Sequence, residues 1–348
     1  MAIVTVTLVP VRIVLIVILA IFVRVGIAIL TLGYKPLTDD EGHLQPMGFR
    51  RWFCLSILLR PTARLALFIF GFHWIKVSGS DNLPRNAASQ RGILVVANHV
   101  SMADSFYLGS RLLPSFVYRH DVARYPIIGT IALATQGLQA DRANKTTGSV
   151  TAKLIYRLNK GHFSPTAIFP EGVTTNERYL LKFRTGAFVA GKPVYPVVFR
   201  YPFRYKSPYY GDGSIFHILF RLLSQIHNNM EVSFLPQYVP NEAEKADPAL
   251  YAENVRQIMR AHLSDPPVYC TDCTNQEYID FSKEVGKRGC QPEDVLTDLD
   301  HEMYKNKEPF LLFPTHIARE VAAKLDDPPR KLTAPKGEVS PRAMELEV

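Results

Sequence analysis

The sequence predicts an α/β layered domain behind an N-terminal membrane-associated helical region, and three observations carry that expectation. Residues 1–34 are almost wholly apolar and hold only two charges, Arg12 and Arg24. Further along, short apolar, β-branched runs alternate with amphipathic helical stretches over roughly residues 77–265, the pattern of strands and helices in one layered domain. Finally, 348 residues that are 47% hydrophobic, with 20 Phe and 16 Tyr, are too apolar and aromatic for a mostly disordered chain.

The first segment is long enough to cross a bilayer, which takes about 20 apolar residues. A cleaved signal peptide has a charged start and an apolar core of about 7–15 residues. This stretch is longer and lacks the basic head, so it is read as an anchor. Arg12 and Arg24 are twelve residues apart, about 18 Å along a helix, and each is expected to snorkel toward an interface. A second apolar stretch, Trp52 to Ile75, contains Arg60-Pro61 and Arg64. Proline interrupts a helix, and a charge at the bilayer centre costs at least about 2.5–3.5 kcal/mol. The stretch is therefore expected to lie in, or dip into, the membrane surface. Residues 1–76 hold eight basic and three acidic side chains, so five of the net eight positive charges sit beside apolar surface. That arrangement suits anionic lipid headgroups and not nucleic acid.

In the following domain, Gly92–Ala97, Val117–Tyr118, Leu138–Ala140, Ala167–Phe169, Val194–Tyr201 and Glu231–Leu235 are the strand candidates. Thr147–Asn159 places Val150, Leu154, Ile155 and Leu158 on one face, with Gly161 as a stop, and Pro248–Leu263 starts on a proline; both predict helices. Ser214–Ile226 is apolar enough to face either membrane or core, and Asn275–Lys287 predicts one more amphipathic helix. From about Asp326 the chain holds nine charged residues and four prolines, the composition of a disordered tail. The expected division is 1–76 as anchor, 77–290 as the main domain and 291–348 as a C-terminal extension. Cys270 and Cys273 form a lone C-x-x-C without a second pair, and Asp294, Asp298 and Asp300 lack the spacing of a calcium loop, so no metal is expected. The four cysteines are a poor disulfide framework for so long a chain.

Two stretches carry chemistry. Asn98-His99-Val-Ser-Met-Ala-Asp104 follows the first strand candidate where a helix begins, with Ser101 as a cap. Asp104, in the first helical turn, can turn back to accept a hydrogen bond from one imidazole nitrogen of His99, leaving the other free as a base. Ile168-Phe-Pro-Glu171-Gly172-Val-Thr-Thr-Asn176 follows another strand, and its turn presents backbone N–H groups and Glu171 at the strand's carboxyl end, where open α/β sheets bind ligands. Lys182 and Arg184 lie close enough in sequence to neutralise a phosphate.

Together these stretches resemble the glycerolipid acyltransferase family, most closely its lysophosphatidylcholine acyltransferase branch. NHVSMAD is similar to the family's N-H-x-x-x-x-D block, and FPEGVTTNERYLLKFRTGAF to its F-P-E-G block with the branch's basic extension. GTIALATQGLQADR resembles the block ending in arginine, here Arg142, and VYPVVFRY the later block carrying proline, here Pro196. Val173 departs from the family, which has a hydroxyl residue there; Thr174 can substitute for it.

The resemblance implies a mixed sheet with flanking helices, bound to the membrane. It also implies transfer of a fatty acyl group from acyl-CoA, a co-substrate with no resident cofactor, to the free hydroxyl of a lysophospholipid. In that reading His99 and Asp104 are catalytic, and Arg142, Glu171, Gly172, Lys182 and Pro196 bind substrate, with Arg142 the first choice for the acceptor's phosphate. Alternatives are a CoA-independent transacylase, which shares the pair but takes its acyl group from a second phospholipid, and an inactive lipid-binding protein. The implied address is the endoplasmic reticulum membrane, other endomembranes or lipid droplets. Asn144-Lys-Thr146 is a glycosylation pattern two residues from Arg142, and a glycan there would crowd the acceptor site. With the unpaired cysteines, this favours a cytosolic catalytic face.

Overall fold

The computed structural model describes residues 2–263 apart from 36, 41–42, 85–90, 141–146, 176–178, 204–207 and 210–214, together with 269–270 and 279. Arg142, the Asn144 pattern, Cys273, the Asn275–Lys287 segment except Ile279, and the C-terminal tail therefore lie outside the described residues. The chain divides into Met1–Asp298 and Leu299–Val348, and every described residue belongs to the first unit.

Two long apolar helices open it, α1 (Ala2–Thr31) and α2 (Phe49–Ile69). Both are long and apolar enough, by length and composition, to cross a membrane. They do not stand apart from the domain. Val23 and Ile27 of α1 are buried with Trp52, Leu55 and Leu59 of α2 and with Leu113 and Ala134.

Two expectations fail here. Arg12 does not snorkel: it is 5% exposed, and its guanidinium donates to the carbonyls of Leu223 (2.9 Å), Gln225 and Ile226 (3.0 Å). These carbonyls close a later helix, whose C-terminal end attracts a cation. Nor does Pro61 interrupt α2. Proline removes one ladder hydrogen bond, and eight buried side chains from Trp52 to Ile69 hold the helix on both sides of it. Arg60 and Arg64 avoid lipid by donating to the carbonyls of Leu112, Phe72 and His73.

The sheet combines β1 (Ile75–Ser78), β2 (Leu94–Ala97), β3 (Ser115–Arg119), β4 (Leu138–Ala140), β5 (Thr166–Ile168), β7 (Val194–Arg200) and β8 (Met230–Phe234); a separate two-stranded pair joins β6 (Tyr179–Leu180) to β9 (Tyr269–Cys270). The seven strands run β1-β8-β7-β2-β5-β3-β4, all parallel pairings except β7 with β8, so the sheet is mixed as expected. Because β2, β3, β4, β5 and β7 point the same way, their carboxyl ends share one edge. Every residue of β2 is buried, which explains its unbroken apolar run.

Helices cover both faces. On one side α3 (Met102–Leu112) and α6 (Ile215–Leu223) pack with α2 around Phe72, Tyr107, Leu108, Phe199 and Phe234. Ile218, Leu222 and Leu223 turn α6 toward this core, settling which way its apolar face points. On the other side α5 (Thr147–Lys160) and α8 (Pro248–Ala261) pack around Leu94, Val96, Leu154, Val198, Tyr251 and Val255. The short helices α4 (Ile128–Ala134) and α7 (Glu242–Ala246) complete the set.

Candidate active site

The site grows from the end of β2. Asn98, one residue past the strand, carries the ladder on with its side chain: its amide donates to the Phe199 carbonyl (2.9 Å) and accepts from the Phe199 N–H (2.7 Å). The chain leaving the sheet is thus fixed before it turns. Ser101 then caps α3, accepting from Ala103 N–H, and Asp104 at the third helical position completes the capping box.

Asp104 does more than cap. Its Oδ2 accepts from the N–H groups of Val100 (2.8 Å) and Ser101 (2.9 Å) and lies 2.9 Å from His99 Nδ1. Its Oδ1 accepts from the Tyr201 hydroxyl at the end of β7. The carboxylate has no exposed surface, whereas the imidazole keeps 21% of its own. An ionised carboxylate only accepts, so Nδ1 carries the proton and Nε2 is left with its lone pair. Phe169, just past β5, stacks on the imidazole at 3.9 Å between ring centroids, and Phe116 stacks behind it. Two aromatic rings and a buried carboxylate leave the histidine little freedom to rotate.

Glu171 departs from its expected part as a direct acceptor contact. It is 0% exposed, and its oxygens accept from the N–H groups of His99 (2.9 Å) and Leu181 (3.1 Å). With no exposed surface, it offers a ligand no oxygen to touch in this conformation. Burial, and then the negative charge of Asp104, push its carboxyl up to about 8, against the pull of those N–H groups and Arg256. Gly172 is at φ +70°, and a Cβ there would lie 2.8 Å from Arg184 Nε, so this turn admits only glycine without strain. Arg184 is itself tied to the turn, its N–H donating to the Pro170 carbonyl (2.9 Å), and desolvation lowers the pKa of its guanidinium. Lys182 is exposed beside it.

Pro196 also departs from its expected part. It is buried inside β7, paired with Val96 where the ladder to β8 bulges: Val197 pairs with Phe234, while Val194 bridges Tyr238. Proline lacks an N–H and fits a sheet at such a bulge. Val173 packs against Tyr179 and Leu181, and the backbone N–H of Thr175 donates to the His99 carbonyl (2.8 Å). Asn98, Phe169 and Tyr201 are site residues that motif reading missed; each lies just past a strand's carboxyl end, which is the signal that points to them. Among the described residues no three His, Cys, Asp or Glu gather into a metal-binding group.

Fold and site together define an α/β protein with an oriented histidine at the ligand-binding edge of a mixed sheet. A family model described as Acyltransferase matches residues 74–200, from the start of β1 to the end of β7. Lysophospholipid acyltransferase LPEAT1 of Arabidopsis thaliana is 34% identical over 269 residues, covering 66% of this chain and 66% of that protein. Lysophosphatidylcholine acyltransferase 1 of Danio rerio is 34% identical over 270 residues (76% of this chain, 50% of the relative), and that of Homo sapiens 32% over 321 residues (86% and 58%). The chain belongs to the glycerolipid acyltransferase family, in the branch of these lysophospholipid acyltransferases. It spans between about half and two thirds of the length of these relatives. A solved structure, that of the 1-acyl-sn-glycerophosphate (LPA) acyltransferase PlsC from Thermotoga maritima, aligns with 73% of this chain and 97% of that one at a TM-score of 0.49 and 16% identity.

Proposed function

We propose that the protein is an acyl-CoA-dependent lysophospholipid O-acyltransferase working at the endoplasmic reticulum membrane, with a lysophosphatidylcholine-type acceptor. The observation that carries this reading is His99, with Nδ1 held by a buried carboxylate and Nε2 free on the exposed side. Family membership supplies the reaction class, and the names of the relatives favour a choline-bearing acceptor.

In this reading Nε2 takes the proton from the acceptor hydroxyl as its oxygen attacks the thioester carbonyl of acyl-CoA. Asp104 stabilises the imidazolium. The tetrahedral intermediate expels the CoA thiolate, which recovers that proton, so the new ester and free CoA leave the histidine neutral again. The thioester is already activated, and neither an acyl-enzyme nor a resident cofactor is needed. Arg142, Lys182 and Arg184 are the cations for phosphate groups, and Glu171 is reassigned from acceptor contact to holding the His99 backbone.

The anchor fits substrates with long acyl chains, whose extraction from a bilayer costs about 0.8 kcal/mol per CH₂. Ile18, Ile21 and Phe22 on α1, and Phe49 and Ile57 on α2, are each more than half exposed, an apolar face larger than scattered surface residues produce. Arg12 and the Val23–Ile27 stretch fasten α1 to the domain at two levels. In this reading the helix presents its outer face to lipid while staying attached to the domain that carries His99.

The test is a panel of lysophospholipids assayed with purified protein in vesicles, with and without acyl-CoA, and read by mass spectrometry. Product that forms only with acyl-CoA and is lost in His99→Ala is the expected result. Product formed from a second phospholipid without acyl-CoA contradicts the donor assignment.

A further inference from the structure

The proposed mechanism uses His99 and Asp104 and leaves one contact of that pair unexplained. Asp104 is fully buried, so bulk water does not screen its charge. Its two oxygens are served differently. Oδ2 takes three donors, all from residues 99–101, whose positions follow from the helix cap. Oδ1 takes the hydroxyl of Tyr201, which is 97 positions away in sequence and 1% exposed. The bond exists because β7 lies beside β2 in parallel register, so the two strands end at the same edge.

Capping does not require this bond, since Oδ2 already closes the capping box. Nor does packing: the Tyr201 ring meets Phe72 edge-on at 5.8 Å between centroids, a contact that a phenylalanine would keep. What the hydroxyl adds is a charge-assisted hydrogen bond to a buried anion.

We propose that Tyr201 is a positioning residue of the His99–Asp104 pair, whose hydroxyl draws charge off Asp104 and so sets how tightly the imidazole holds a proton at Nε2. The inference rests on the reading of His99 as the base. Glu171, which accepts from the His99 N–H and whose carboxyl is pushed up to about 8 by burial, is a further titratable group beside the pair; it is the same in every protein compared, so a difference between their acid limbs reports the Tyr201 hydroxyl. Without the hydroxyl, one carboxylate oxygen faces an apolar interior with no donor. The anion then pulls harder on the Nδ1 proton, or takes a proton itself. In the first case the imidazolium is over-stabilised, and in the second the preferred tautomer is lost. Both outcomes remove the neutral, base-competent histidine at the lower end of the pH range.

The experiment compares full-length wild type, Tyr201→Phe and protein carrying 3-fluorotyrosine at position 201, all in vesicles, with kcat and KM measured from about pH 6 to about pH 9. For Tyr201→Phe the acid limb of kcat/KM moves up by about 0.5–1 pH unit, the rate well above that limb stays within about threefold of wild type, and KM for both substrates is unchanged. Fluorination makes the phenol a stronger donor without changing its shape, so the limb moves down. If Tyr201→Phe does not fold, this second protein decides alone. An acid limb at the wild-type position in the folded variants, or a loss equal at every pH, overturns the inference. Activity that survives in His99→Ala overturns the underlying base assignment instead, and so tells the two failures apart.

Discussion

The His99–Asp104 corner and the α1–α2 helix pair solve opposite problems with charge. At the corner two carboxyl groups, Asp104 and Glu171, sit fully buried, and every oxygen meets a donor, supplied by the end of β2, the start of α3, the end of β7 or, for one oxygen of Glu171, by Leu181 just past β6. In the anchor Arg12 of α1 is turned inward against three carbonyls, as Arg60 and Arg64 of α2 are against those of Leu112, Phe72 and His73, while the outer face of α1 stays apolar. Buried charge is tolerated in both places because it is hydrogen-bonded. At the corner the satisfied charge orients the proposed base, and in the anchor it fastens a helix with an apolar outer face to the domain.

Substitutions break this comparison to different degrees. The largest effect is expected at His99→Ala, which removes the proposed base and lowers turnover per folded molecule by several orders of magnitude. Asp104→Asn costs less, yet still up to about 10⁴-fold, as tautomer control does in a serine-protease triad. Initial rates with acyl-CoA and lysophospholipid check both. On the anchor side, Arg12→Leu leaves the end of α6 without its cation and costs roughly 2–3 kcal/mol of stability. Denaturation in detergent reads that loss, while turnover per folded molecule is unchanged.

Glu171→Gln separates charge from shape. An acid that titrates at about 8 when folded and at 4.5 when unfolded binds more protons in the folded state between those values. Its contribution to stability is therefore fully present below pH 4.5 and is lost as pH rises to about 8. In Glu171→Gln this decline disappears. Losing one acceptor oxygen carries a cost of its own, but that cost does not vary with pH, so the slope of denaturation midpoint against pH is the quantity to measure. The smallest effect belongs to Lys76→Ala. The Lys76–Glu231 pair is 3.1 Å apart, but its lysine side chain is 77% exposed, and its loss changes stability by less than about 1 kcal/mol.

How much of this was legible in the sequence follows from how far apart the partners are. His99 and Asp104 are five residues apart, and one strand end with one helix cap fixes their geometry, so the pair can be read from a short string. Tyr201 reaches Asp104 only through the β2–β7 pairing, which no local pattern encodes. Arg12 finds its carbonyls more than 200 residues away, and an apolar helix read by itself sends that charge outward. β1 was hidden for another reason: its four residues adjoin an apolar run that reads as membrane, and as an edge strand it is only partly covered. Glu171 and Pro196 belong to recognisable blocks, but the sequence does not reveal that one lies beneath the site and the other inside the sheet.

The most direct test is acyl transfer by the purified full-length protein in vesicles containing lysophosphatidylcholine, started by acyl-CoA and followed through both phosphatidylcholine and released CoA. The two products are predicted to appear in equal amounts for wild type and to vanish in folded His99→Ala. Phosphatidylcholine formed without CoA release, or formed at the wild-type rate by His99→Ala, would contradict the account.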